Sequence, residues 1–299
     1  MLAYHIPALL NESISGLNIK PDGIYVDVTY GGGGHSIEIL KRLKEGKLFA
    51  FDQDQDALKN KIDDNRITLI HSNYRYIKNF LKYHGITQVD GIIADLGISF
   101  HQVDESSRGF SFKSEADIDM RMNMNAQITA ADILNGYDEN KLSKVFKEYG
   151  ELKNAWGITQ AIIEGRKEHK FQKISQLVQI LGKFAPKHVE NKFFAKVFQA
   201  LRIEVNQEME ALKDFLLACD PLLKNGGRLV VISYHSLEDR LVKNFIRAGN
   251  FEGEVDKDVY GNFSTPFCQI NKKIIVPDDQ EVSLNPRSRS AKMRIAEKN

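Results

Sequence analysis

The chain has 299 residues, 42% hydrophobic and 27% charged, with 41 basic side chains against 40 acidic. That composition suits a globular protein of one large or two modest domains with a sizeable core, and the balanced charge is silent on a nucleic-acid partner. Two cysteines far apart, Cys219 and Cys268, without C-x-x-C spacing or a His-rich neighbourhood, ask for neither a disulfide framework nor a structural zinc site; no metal is expected, and a reducing cytoplasm fits best.

Residues 1–20 break their apolar pattern at Asn11 and Glu12, and no run approaches about 18 apolar residues, so neither signal peptide nor membrane span is read. From residue 23 to 99 the short apolar runs IYVDV, KLFAFD, ITLIHS and VDGIIADLGIS read as parallel strands. Between the first two, HSIEILKRLKEG sets Ile39 and Leu43 four apart and stops at Gly46, as a crossover helix should. From Ser99 to about residue 215 the patterns turn helical: Leu142, Val145, Phe146 and Tyr149 follow the 3.6-residue period, as do Phe194, Val197, Phe198, Leu201 and Val205. GGRLVVISYHS at 226–236 resumes the strands, and CQINKKIIVPDDQEVSLNPRSRSAKMRI reads as two strands around a turn at an antiparallel edge. The expected fold is a discontinuous α/β domain, 1–105 with 205–299, carrying a mainly helical insertion over 106–204.

The first strand ends in YGGGGHS, Tyr30 to Ser36, a turn that lets a ligand approach the main chain beyond the strand ends. A phosphate-cradling P-loop fails because His35 and Ser36 stand where G-K-[S/T] is required. A dinucleotide fingerprint from Gly31 and Gly33 loses its third glycine to Ser36, which weakens NAD without removing it. S-adenosylmethionine, whose sulfonium and amino group are positive, would be favoured by Asp27 just upstream. Asp52, closing the second strand about twenty residues past the glycines, suits ribose hydroxyls in either nucleoside ligand. Ser233, His235 and Asp239 resemble a triad only in composition; Ser236 with Glu238 and Asp239 reads as a helix N-cap. His35, His101 and His235 are read as structural or binding groups before proton carriers.

Five separated stretches make the reading specific: DVTYGGGGHS at 27–36, DLGISFHQVDESSRGFSFKSEADIDMRMN at 95–123, FQALRIEVNQE at 198–208, GGRLVVISYHSLEDRLVK at 226–243 and NPRSRSAKMR at 285–294. In this order, and across the whole chain, they resemble the MraW (RsmH) family of bacterial 16S ribosomal RNA cytosine-N4 methyltransferases. The resemblance implies a Rossmann-like class I methyltransferase domain with an inserted helical domain for substrate recognition. It also implies S-adenosylmethionine as cofactor, N4 of a cytidine in the decoding centre as target, and the assembled small ribosomal subunit as partner. By matching positions, Gly33, Gly34, His35, Asp52, Tyr74, Asp95 and Gln102 would contact the cofactor, with Phe80 competing for the place of Tyr74. Phe100, Glu115-Ala116-Asp117 and Ala195-Lys196 depart from the family's usual residues on the substrate side.

Asp95 is also placed to orient the target amine, since a carboxylate at the end of the fourth strand can accept its hydrogens. Arg287, Arg289, Lys292 and Arg294, with no acid among them, suit phosphate contacts, and Arg108 and Arg121 suit an RNA grip near the active mouth, with Asp119 as a rival partner for Arg121. Phe110 or Tyr234 could receive a base taken out of its stack, or fill the core. Two other function classes stay open at this level: a non-catalytic ribosome-assembly binder, which explains the basic tail, and an NAD-linked oxidoreductase, which explains the glycines and Asp52. The oligomeric state stays open too, a homodimer included.

Overall fold

The structure is a computed structural model describing residues 7–255, 260 and 264–299; the first six residues of the stretch read for a targeting signal lie outside the described residues, as does the side chain of Phe100. The strands are β1 (Ile24–Asp27), β2 (Lys47–Asp52), β3 (Ile67–His71), β4 (Val89–Asp95), β5 (Leu223–Ser233), β6 (Phe267–Gln269) and β7 (Lys292–Lys298). They form one sheet in the order β3-β2-β1-β4-β5-β7-β6, with β1 to β5 parallel and β7 antiparallel to both neighbours. β2 and β3 lie to one side of β1 and β4 to the other, so the order reverses at β1/β4, where an open α/β sheet leaves its ligand crevice. This is a Rossmann-like α/β fold of the class I methyltransferase kind.

Parallel strands need crossovers, and α1 (Leu10–Leu17), α2 (Gly34–Leu40) and α3 (Ile77–Tyr83) belong to the first half. The sheet is buried on both faces. Tyr25, Leu48, Ile93, Val230 and Ile232 share one face with Ile14 and Leu17 of α1 and Ile39 and Leu40 of α2. Val26, Phe49, Phe51, Ile92 and Val231 make the other, with Ile77 and Leu81 of α3. The alternation is the two-residue period of a strand, which makes the apolar runs continuous where both faces are covered.

Two compact units divide the chain: residues 1–97 with 209–299, and residues 98–208. The insertion therefore starts at Ile98 and not at 106, because β4 ends at Asp95 and the chain leaves the sheet at once. It holds α4 (Phe100–Asp104), α5 (Ala130–Gly136), α6 (Glu139–Glu148), α7 (Ala155–Glu168), α8 (Ile174–Leu181) and α9 (Glu190–Asn206). Its own core includes Leu142, Phe146, Ile158, Ile162, Phe171, Leu177, Val197 and Leu201. Asn206 fastens the entry loop to the end of α9, accepting the Met122 N–H at 2.7 Å and donating to the Met120 carbonyl at 2.8 Å. The second half of the sheet domain adds α10 (Glu208–Leu222), α11 (Ser236–Ala248) and α12 (Asp279–Leu284).

Three local expectations change. The helix after the glycine turn stops at Leu40, not at Gly46. The C-terminal turn contains α12 and a 3₁₀ segment, Pro286–Ser290. And β7 is an interior strand, flanked by β5 and β6, so of these last two strands it is β6 that lies at the edge.

Phe146 is fully buried in the insertion core. Phe146→Ala should cost about 3–5 kcal/mol, read as a lower denaturation midpoint, because the vacated volume in a helix bundle refills incompletely.

Candidate active site at the carboxyl ends of the strands

Three carboxylates stand at the ends of three neighbouring strands. In the register of the sheet Asp27 pairs with Ala50 and Ile93, so Asp52 and Asp95 sit two residues further along β2 and β4. Residues two apart share a face, so all three point to the side that carries α1 and α2. The stagger also sets their exposure: Asp27 is buried at 1%, while Asp52 and Asp95 are half-buried.

Asp27 serves the turn. Its Oδ1 accepts the Thr29 N–H at 3.1 Å and its Oδ2 the Ser36 hydroxyl at 2.7 Å, which ties the strand end to the first turn of α2. Asp52 binds the same loop from the other side, accepting the Gly31 N–H and the Asp54 N–H, each at 2.8 Å. Asp95 differs. Its Oδ1 accepts the Tyr234 hydroxyl at 2.9 Å, and its backbone N–H donates to the Thr29 hydroxyl at 2.7 Å.

Burial is the first cause of charge perturbation at all three. It pushes Asp27 up to about 6, against hydrogen bonds from Ser36 and Thr29. It pushes Asp52 to about 6, helped by the charges of Asp54 and Asp27, and Asp95 to about 7, helped by Asp27, Glu238 and Glu281. Among the described residues none of the three has a basic partner in an ion pair. A cluster of carboxylates whose burial raises their affinity for protons favours a bound cation, and the sulfonium and amino group of S-adenosylmethionine meet that demand. The turn leaves room as well: a Cβ placed on Gly31 would meet nothing nearer than the Thr29 carbonyl at 4.0 Å. The residues present therefore fit this cofactor.

The other glycines answer to the protein. Gly33 caps α2 at φ +78°, and a Cβ there would meet the Tyr30 hydroxyl at 3.0 Å. A Cβ on Gly34 would collide with the ring of Pro7, so the absence of a side chain there also serves packing against the N-terminal segment. His35 is buried and held to the Ala8 backbone, and burial lowers it to about 4, which keeps the ring neutral at neutral pH. Its Nε2 has no hydrogen-bond partner among the described residues.

Tyr74 is half-buried and packs edge-on against Phe215, 5.4 Å between centroids, on the sheet face opposite the carboxylates. Its rival Phe80 packs edge-on against Phe51. Gln102 belongs to the insertion unit, where it is buried and forms a capping box with Ser99 at the start of α4.

The basic residues divide sharply. Arg108 is 4% exposed and donates to the Arg121 and Met122 carbonyls, so it holds a loop and grips no RNA. Arg121 takes its rival option, a two-pronged pair with Asp119 at 2.8 and 2.7 Å. Arg294, on an interior strand, reaches Asp239 on α11 at 2.7 and 3.2 Å and is likewise lost as a phosphate contact. Arg287 and Arg289 remain exposed on the 3₁₀ segment and Lys292 half-exposed at the start of β7. The N-cap of α11 is His235, not Ser236: its Nδ1 accepts the Glu238 N–H, while Glu238 takes the Tyr234 and His235 N–H groups. Thr29 and Ser36 were not singled out from the sequence; a hydroxyl two and nine residues after a strand-end aspartate was the available signal.

Residues 2–299 match the family described as the MraW methylase family. The chain belongs to that family. Among its relatives are ribosomal RNA small subunit methyltransferase H of Bacteroides thetaiotaomicron and that of Flavobacterium johnsoniae, each 56% identical over 298 residues, covering 99% of this chain and 98% of the relative. A solved rRNA methylase from Streptococcus thermophilus aligns over 99% of both chains at 12% identity with a TM-score of 0.44, a likeness too loose to speak to substrate. A member of the MraW methylase family is a methyltransferase, and its methyl donor is S-adenosylmethionine. Among the described residues no helix is long and apolar enough to cross a membrane.

Because the folded Asp27 titrates near 6 and a free aspartate near 4, the folded protein holds this proton more tightly, and stability is lost as pH rises from about 4 through about 6. Asp27→Asn carries no such proton. Melting temperatures of the two proteins across that window should drift in favour of the variant as pH rises; a constant difference would contradict the assignment.

Proposed function

We propose that this methyltransferase acts on the exocyclic N4 of a cytidine in the decoding centre of 16S ribosomal RNA. The observation that carries the reading is the Asp95 carboxylate, half-buried at the point where the strand order reverses, steered by Tyr234 and titrating near neutrality. The lone pair of cytosine N4 is delocalised into the ring, so the amine needs an acceptor for its hydrogens before it can attack. With Oδ1 taken by Tyr234, Oδ2 of Asp95 accepts from the amine and turns its lone pair toward the donor.

Bound at the turn, S-adenosylmethionine supplies an electrophilic methyl group on a sulfonium. Asp52 and the Gly31 main chain, joined by their own hydrogen bond, would hold the nucleoside end, and the negative field of Asp27 and Asp95 would favour the cationic end. Once the new N–C bond has formed, N4 must shed a proton, and a carboxylate near pKa 7 is matched to take it. His35 stays neutral and buried, outside proton transfer.

The substrate side of the reading is supported by the relatives' naming as small-subunit rRNA enzymes. In it, Arg287, Arg289 and Lys292 make phosphate contacts, residues 98–208 recognise substrate, the acceptor is the assembled small subunit, and the site of action is the cytoplasm. Lys173 pairs with Asp117 at 2.8 Å, so the departure at Glu115-Ala116-Asp117 stays within the insertion's own framework.

Small subunits lacking native modification, incubated with the protein and S-adenosylmethionine, should yield N4-methylcytidine on digestion and mass spectrometry. Asp95→Ala should abolish it even at cofactor concentrations that saturate the variant by calorimetry, where binding is weakened but measurable; undiminished product would refute the role of Asp95. Tyr234→Phe removes a hydrogen bond to the ionised carboxylate, so the acid limb of the rate profile should move up by about one pH unit.

A further inference from the structure

The chain has one tryptophan, and it is not in a core. Trp156 is the second residue of α7 and is 52% exposed, although Phe146, Phe171, Phe194 and Phe198 of the same unit are buried. An indole left in water gives up the burial that a large aromatic ordinarily contributes, and such side chains are enriched where a partner covers them.

Its surroundings are specific. Trp156 lines an open cleft of about 420 Å³ between the end of α6 and the start of α7, with Ser143, Lys147, Glu151, Leu152 and Lys153. Lys196, from α9, reaches within 3.5 Å of the Glu151 carbonyl and brings a third ammonium group alongside. Lys147 and Lys153 are exposed, and among the described residues neither is in an ion pair. The first turn of α7 adds the positive end of a 14-residue helix, with Asn154 taking only the Gly157 N–H. Behind the cleft Leu152 donates its N–H to the Phe146 carbonyl at 3.2 Å and both side chains are buried, so the platform is built before any ligand arrives.

We propose that this cleft is a second RNA contact, in which a base of a single-stranded segment stacks on Trp156 while its flanking phosphates meet Lys147 and Lys153. An aromatic face beside a positive groove is how single strands are held without sequence readout. Glu151 at the rim offers an acceptor for a ribose hydroxyl or a base amine, which a bare anion could not use. The site is complete within residues 98–208 and uses none of the residues assigned to methyl transfer. It rests on the reading that the chain acts on RNA.

The single indole makes the test direct, since all tryptophan emission from the full-length protein comes from this cleft. Titration with a short single-stranded RNA should quench that emission, and the midpoint should rise with salt. Lys147→Glu with Lys153→Glu, and separately Trp156→Ala, should weaken RNA binding, read by anisotropy of labelled RNA, by about tenfold, and Trp156→Phe should restore most of it. RNA that binds by anisotropy without quenching, or fails to bind at all, would overturn the proposal. So would emission that changes with protein concentration alone, which would mean that a second copy of the chain covers the cleft. Methylation of small subunits by the same proteins keeps the two readings apart: N4-methylcytidine formed without quenching sinks only the cleft, and quenching without any methylated product sinks the methyl-transfer reading.

Discussion

Burial of three carboxylates is the constraint around which the sheet domain is organised. Parallel strands that end together bring Asp52, Asp27 and Asp95 side by side on one face, and burial deprives them of the water that would screen them. The fold relieves part of this internally, by giving Asp27 and Asp52 main-chain N–H groups and a serine hydroxyl to accept. What it leaves unrelieved is concentrated at Asp95, whose carboxylate has one hydroxyl from Tyr234 and three acidic neighbours in range. A positively charged methyl donor completes the compensation, and the same residual charge then becomes available to an amine.

The strands were legible because burial on both faces writes itself as unbroken apolar runs, and their order follows from crossovers that must be long. Asp52 and Asp95 were legible for a related reason, as polar residues closing such runs. The arginines were not. NPRSRSAKMR looks like an unpaired basic cluster in one dimension, but a strand alternates its faces, and Arg294 points toward Asp239, 55 residues earlier. Arg108 likewise spends its charge on carbonyls 13 and 14 residues away. Cluster counts record charge and not its partners, so of six arginines and lysines read as RNA contacts, three serve the interior.

The glycine run carries a second lesson. Four consecutive glycines invite a ligand at each, yet the side-chain space of Gly33 is bounded by the ring of Tyr30 and that of Gly34 by the ring of Pro7. The distinction is invisible in sequence because Pro7 is far along the chain from the turn it presses on. Leu9, two residues on, donates its N–H to Glu281 of α12 at 2.8 Å, so the first described residues join the turn to the C-terminal helix.

The insertion has a consequence for how the protein is made. Strands β4 and β5 are neighbours in the sheet, but residues 96–222 lie between them. Pairings so distant in sequence form slowly, and until β5 arrives the half-sheet β3-β2-β1-β4 presents the whole flank of β4 as an unpaired edge. Residues 98–208 are synthesised in that interval and have a core of their own to collapse around. An insertion that folds promptly shortens the loop that β5 must close and limits the time β4 spends open to other chains.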